Sequence, residues 1–190
     1  MNRLPLPDTA AGRRLETQTG TQFMLRPARG EDVLPYTAFL ADPDVAVWLD
    51  DTVQRPVPAT RVEAILLHEA WSLWSIDCEG RFVGVASLYE PDLVLGAARF
   101  SIVLGDKRVW GKGLGTAITR EVLHRAFSEQ GLRKIKSDYL VPNVASKVLH
   151  ERVGFVEEGR LRDDAWRRGE WVDRVLLSFL SREYGNTTDD

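Results

Sequence analysis

The sequence predicts an α/β fold built as a single mixed, largely antiparallel sheet flanked by helices, and three observations carry that expectation. Strand-like runs WSLWSI (71–76), RFVGVASLY (81–89) and AARFSIVLG (97–105) follow one another across short turns, as in an antiparallel meander. The stretch from Gly113 to Gln130 repeats Leu114, Ala117, Ile118, Val122, Ala126 and Phe127 at helical spacing. Beyond it a strand, a helix and two last strands follow, with no internal repeat and no linker to mark a second domain.

In chain order, residues 1–20 are polar and punctuated by Pro and Gly and read as an amino-terminal arm, 21–184 as the domain, and 185–190 as a polar tail. Phe23 to Arg26 form a short strand stopped by Pro27. Asp32 is placed to cap a helix that runs to Leu40, with Val33, Tyr36, Phe39 and Leu40 on one face. ADPDVAVWLDDT (41–52) reads as a turn and a short helix, and Thr60 as the cap of a second helix through Glu69. After the meander and the long helix, which Gly131 stops, KIKSDYLV (134–141) is a strand ended by Pro142. Asn143 opens a helix to Val153, and Gly154 to Val156 and Trp171 to Phe179 are the closing strands.

The 190 residues carry 25 Lys and Arg against 28 Asp and Glu, a formal charge of -3, so no global field attracts nucleic acid or an anionic membrane. Any phosphate affinity is therefore local. The single Cys78 cannot close an internal disulfide, and three isolated histidines without a cysteine pair offer no metal spacing. No signal-peptide core and no run of 18 apolar residues is present, so the expectation is a cytoplasmic protein with no membrane partner.

The chemistry lies in Arg108-Val109-Trp110-Gly111-Lys112-Gly113-Leu114-Gly115-Thr116, between a predicted strand and a predicted helix. Glycines let main chain approach a ligand closely, and a helix amino terminus directs unpaired N–H groups and a positive dipole end at it. Phosphate is the natural guest, with Arg108 and Lys112 as local positive charge. The dinucleotide pattern fails because Thr116 stands where a third glycine belongs, and the P-loop pattern fails for want of a Gly-Lys-Ser/Thr. What remains is R-x-x-G-x-G.

That motif, between strand and helix, resembles motif A of the GNAT N-acetyltransferase superfamily, whose members hold the pyrophosphate of acetyl-CoA there. Asn143-Val144-Ala145-Ser146, then Gly154-Phe155 and Glu158-Gly159, is similar to the N-x-x-S, G-F and E-G run of the RimJ/RimL-type branch, as are ADPDVAVWL and the closing Gly169, Asp173, Glu183 and Tyr184. The resemblance covers about residues 22–184 and implies a GNAT-type fold and acetyl-CoA as cosubstrate. It implies that Arg108, Gly111, Lys112, Gly113, Gly115 and Thr116 hold the pyrophosphate and that Ile102, Val103 and Leu104 pair with the pantetheine arm. It further implies that Asn143 contacts that arm and that Ser146 lies near the sulfur as a proton donor. Relatives often place a tyrosine seven residues after the Asn; here that position is His150, a second candidate acid.

Acetyl transfer to an amine needs a neutral nucleophile, a polarised carbonyl and a proton for the leaving thiolate. The strand before the motif lacks the glutamate that many relatives carry there, and Ala165 stands where RimL-type relatives can place one. The resemblance thus points to the adjacent Asp164, with Asp163 beside it, as the candidate base, and to Glu90, at the end of the preceding strand pair and on the acceptor side, as another option. A lysine amine of pKa about 10.4 is far less often neutral at pH 7 than an α-amine near 7.8. The expected acceptor is accordingly a small amine or a peptide amino terminus, with amino sugars, antibiotics or polyamines as alternatives. A CoA-binding domain without turnover is the reading from another class. Trp48 and Trp166 fall in segments that line the acceptor side in relatives, which are often homodimers.

Overall fold

The computed structural model describes residues 13–69 and 71–184. Eight strands form one sheet in the order β1-β2-β3-β4-β5-β6-β8-β7. β1 (Arg14–Glu16), β2 (Gln22–Arg26), β3 (Ser72–Cys78), β4 (Arg81–Asp92) and β5 (Ala97–Leu104) pair antiparallel in succession. β6 (Lys134–Leu140) then joins β5 in parallel, and β8 (Glu170–Leu180) and β7 (Val156–Arg167) complete the far side antiparallel.

Each face of the sheet buries its own helices. Against one pack α1 (Val33–Ala41), α2 (Pro43–Ala46) and α3 (Ala59–Glu63), the last continued by a π-helical turn over Ala64–Glu69. Val33, Tyr36, Leu40, Val45, Val62 and Leu66 meet Leu73, Val85 and Val103 there. The other face takes α4 (Leu114–His124), with its π-helical extension Arg125–Glu129, and α5 (Val144–Val153). Leu114, Ile118, Val122, Val153 and Phe155 pack on Trp74, Ile76, Ala86, Phe100 and Ile135. Strand alternation explains the division, since Leu73 and Trp74, or Val85 and Ala86, point to opposite faces.

Three sequence expectations change, besides that of Thr60, which lies inside α3 behind its N-cap Pro58 and does not cap it. The stretch read as an arm supplies β1, whose Arg14 to Glu16 pair with Gln22 to Met24, while residues 1–12 lie outside those described. Asp32 does not cap α1 with its side chain. Its buried carboxylate instead takes both terminal nitrogens of Arg26 at 2.8 Å, Ser75 Oγ at 2.7 Å and the Arg29 N–H at 2.8 Å. Burial alone would raise its pKa, and these bonds hold it below the ordinary value. The third change is β7, which runs twelve residues where three were expected. As an edge strand it exposes both faces over most of its length, so no apolar alternation marked it.

Candidate active site: a wedge between two strands

β5 and β6 pair only at Ala97 to Arg99 against Lys134 to Lys136. Beyond that point they separate, although β5 stays paired with β4 to Leu104 and β6 with β8 to Leu140. The result is a wedge bordered by two strand edges. The Phe100 carbonyl is met by Ser137 Oγ at 3.4 Å, and the Leu104 carbonyl accepts Trp110 Nε1–H at 2.8 Å. Main-chain polar groups alternate sides along a strand, so the N–H and C=O of Ile102, midway between these two, also face the wedge. Among the described residues no neighbouring strand pairs with them on that side.

The glycine motif closes the wedge's wide end. Gly111 and Gly113 have φ of +72° and +76°, with no atom within 4 Å of where a Cβ would stand. Both positions favour glycine and leave open space. Gly113 is the N-cap of α4, and the first helical bond runs from Ala117 N–H to Gly113 C=O. The N–H groups of Leu114, Gly115 and Thr116 therefore have no partner within the helix. Gly115 serves differently: a Cβ there would lie 2.8 Å from Leu149 Cδ1, so its absence lets α4 and α5 meet closely.

The charges expected at the loop are mostly spoken for. Arg108 folds onto Asp106, with Nε 2.8 Å from Oδ1 and Nη2 2.7 Å from Oδ2, and this hydrogen-bonded guanidinium holds the carboxyl below its ordinary pKa. Lys107 reaches Asp42 at 2.9 Å and Asp44 at 2.7 Å, tying the loop to the start of α2. Lys112 is exposed, and its carbonyl accepts Thr19 Oγ1–H at 3.3 Å.

Ser146 and His150 lie one turn apart on α5. Asn143 caps this helix, its Oδ1 accepting Ser146 N–H at 3.1 Å. His150 is 4% exposed, and its Nδ1 is 2.8 Å from the Ser146 carbonyl, which can only accept, so Nδ1 bears the proton. Nε2 is 2.8 Å from Ser137 Oγ and accepts from it. Burial lowers the pKa of the ring, which Tyr139 stacks against and Phe155 meets edge-on. The acid role expected of His150 thus meets a neutral ring with both nitrogens engaged. Ser146 is half-buried, its hydroxyl 3.4 Å from His150 Nδ1.

The opposite face of the wedge carries a row of charges that sequence reading saw only at its ends. Asp138 adjoins Ser137 on β6 and so points the other way. Its two oxygens bond Arg99 of β5 and Arg174 of β8. Arg174 Nε continues to Asp164 Oδ2 at 2.6 Å, and Arg99 Nε to Tyr89 Oη at 3.1 Å and Glu90 Oε2 at 3.6 Å. The backbone is irregular at both ends. Glu90 has φ +48°, and Asp163, φ +51°, sits in a bulge fixed by Asp173, which accepts its N–H at 2.9 Å.

Trp48 and Trp166 are linked through Arg167, which sequence reading did not single out. Arg167 is 4% exposed and donates to the carbonyls of Val47, Leu49 and Trp166, each at 2.8 Å, with Asp51 at 2.7 Å. It clasps the segment after α2 to the turn between β7 and β8. Arg168 Cζ lies 5.4 Å from the centre of the Trp48 ring, and the exposed Trp166 packs edge-on against Trp171. No helix among the described residues is long and apolar enough to cross a membrane.

A family model described as an acetyltransferase (GNAT) domain matches residues 22–156. The chain is similar to the "Putative ribosomal N-acetyltransferase YdaF" of Bacillus subtilis, 35% identical over 106 residues, 56% of this chain and 57% of that protein. It is also similar to the spermidine N(1)-acetyltransferase of Vibrio cholerae, 27% identical over 113 residues, 60% of this chain and 65% of that protein. The matched stretches thus span 57% and 65% of these two relatives. Among solved structures, Mycobacterium smegmatis RimJ in complex with CoA-disulfide has a TM-score of 0.72 at 24% identity, covering 90% of this chain and 88% of that one, a likeness of fold.

Proposed function

Because the chain belongs to the GNAT acetyltransferase family, we propose that it moves an acetyl group from acetyl-CoA to a primary amine, the acceptor being a peptide or protein α-amine or a small amine. The observation that carries this reading is the wedge, in which Ile102 turns an unpaired main-chain N–H and C=O into a gap that ends at the glycine motif. An amide-bearing arm adds along such an edge as a strand would, and a diphosphate suits the unpartnered N–H groups of Leu114 to Thr116. The open space at Gly111 and Gly113 fits that guest.

In this reading Ile102, Leu104, Gly111, Lys112, Gly113, Gly115, Thr116 and Asn143 hold acetyl-CoA, which supplies the acetyl group as an activated thioester. Val103, whose main chain pairs with Val85 of β4, supports the edge from behind and does not touch the arm. Arg108 acts indirectly, by shaping the loop through Asp106. The Ile102 N–H is the donor that polarises the carbonyl. The Ser146 hydroxyl gives its proton to the departing sulfur and is restored by the proton that the attacking nitrogen loses as the amide forms, while His150 positions it through the Ser146 carbonyl.

On the acceptor face, Glu90 and Asp164 offer carboxylates to an ammonium group. Each already faces an arginine, Glu90 at 3.6 Å from Arg99 and Asp164 at 2.6 Å from Arg174, so both carboxylates have a cation partner before any amine arrives. A site of this kind favours an α-amine of pKa near 7.8 over a lysine amine near 10.4, since a larger fraction is already neutral. Trp48 and Trp166 form the acceptor walls.

The test is to incubate the protein with acetyl-CoA and, in turn, an unblocked peptide, an amino-blocked lysine peptide, spermidine and an amino sugar, following thiol release. Faster release on the unblocked peptide than on the lysine peptide and spermidine is the expected result. Tight acetyl-CoA binding without release on any amine replaces this reading with a binding domain that lacks turnover.

A further inference from the structure

We propose that Asp138 is a positioning residue for the acyl-donor site, acting through the main chain of β5. The assignment rests on the acetyl-CoA reading above. Main-chain pairing sets the distance between β5 and β6 only as far as Arg99 and Lys136. Past that point side chains must do so. On the helix-α5 face the link is His150 to Ser137, with Ser137 reaching the Phe100 carbonyl. On the opposite face it is Asp138, which engages Arg99 with one oxygen and Arg174 with the other.

Three features separate this row from an ordinary surface ion pair. First, its central members are largely sheltered, the side chains of Asp138, Arg174 and Arg99 being 15%, 23% and 29% exposed. Sheltered ion pairs are screened less than exposed ones, and removing Asp138 leaves Arg174 only Asp164 and Arg99 only Glu90, both on the outer side of the row. Second, the row is continuous across five adjacent strands, from Glu90 and Tyr89 on β4 through Arg99, Asp138 and Arg174 to Asp164 on β7. Third, Arg99 is the last residue of β5 that pairs with β6, and Ile102 stands one turn of the pleat beyond the first separated residue. Without Asp138 the two guanidiniums face each other across the apex with no carboxylate between them. Repulsion there moves the end of the paired segment, and the Ile102 edge moves with it.

Asp138 thereby governs the part of the wedge that holds the pantetheine arm and not the helix terminus that holds the phosphates. Adenosine 3′,5′-bisphosphate has the nucleotide without that arm, so two calorimetric titrations separate the effects. Wild type should bind acetyl-CoA more tightly than the bisphosphate. Asp138→Asn should weaken acetyl-CoA about tenfold or more, the scale on which small displacements of a ligand-holding group act, while bisphosphate affinity stays within about twofold. Equal weakening of both ligands, or of neither, overturns the assignment, because a general loss of structure does not distinguish them.

If Asp138→Asn does not fold, Arg174→Gln is judged by the same criterion, and Arg174→Lys should recover part of the acetyl-CoA affinity. Selective weakening by Arg174→Gln with recovery by Lys supports the brace, and its absence rejects it. Wild type that binds neither ligand removes the acetyl-CoA reading and this assignment together, whereas a wild type that binds both and is indifferent to Asp138 removes the assignment alone.

Discussion

His150 Nε2 lies 2.8 Å from Ser137 Oγ, and that contact joins α5 to β6 just where β6 parts from β5. Its partner nitrogen holds the Ser146 carbonyl, so one buried ring connects the proposed proton donor to the apex of the wedge.

The first prediction concerns pH. Burial lowers the His150 pKa from its ordinary 6.5, so the unfolded chain binds the proton more readily than the folded one. The stabilising effect of the neutral ring is complete above 6.5 and is lost as pH falls from there toward the depressed folded value. Chemical denaturation of wild type between pH 7.5 and 5 should show this decline, and His150→Gln should flatten it. At pH 7.5 the variant should lose roughly 1–3 kcal/mol through the unpaired Ser137 and Ser146 groups.

The glycines of the motif should fail in different ways. At Gly113, φ +76° in open space is a conformation that a branched residue abandons, so Gly113→Val lets the loop move away, weakening acetyl-CoA about tenfold with little change in melting temperature. Gly115→Val drives a side chain into Leu149, where a Cβ alone would stand at 2.8 Å, and should lower stability by roughly 1–3 kcal/mol. Calorimetric binding and thermal melts on both variants distinguish the two roles. Equal effects would show that Gly115 is no packing residue.

Arg167 should matter to the acceptor and not to the donor. Arg167→Met removes the donors to the Val47 and Leu49 carbonyls while keeping the volume, and loosens the segment that carries Trp48. The amine KM should rise several-fold with the acetyl-CoA KM unchanged, together with a stability loss of about 1–3 kcal/mol. Arg167→Lys should recover part of the amine KM. A parallel rise in both KM values would mean that the clasp is general scaffolding.

How much of this was legible in the sequence depended on whether the signal was local. The meander, α4 and α5 announce themselves through apolar periodicity, and Gly111 and Gly113 through a composition that only a close approach or positive φ requires. Asn143 was read as the start of α5, and it caps the helix as a side chain of that kind does. β7 was missed because an edge strand needs no alternation, and β1 because Arg14-Leu15-Glu16 carries a single apolar residue, too little for a pattern. Asp32 has the sequence position of a cap, yet Arg26 and Ser75, brought to it from two other strands, make it the centre of a buried ion pair. Asp138, Arg167 and Arg174 were invisible for the same reason: their partners are distant in sequence, and only the strand order sets them side by side. Ser146, His150 and Asp164 were singled out by spacing, but what each can do depends on Ser137 and Arg174, which spacing does not reveal.

Site-resolved hydrogen exchange, with and without saturating acetyl-CoA, tests the wedge most directly. The account predicts slowed exchange at the Ile102 amide and at the Leu114, Gly115 and Thr116 amides, with the β4-facing amides of Ser101 and Val103 little changed. Protection elsewhere, with Ile102 exchanging at its unliganded rate, would contradict it.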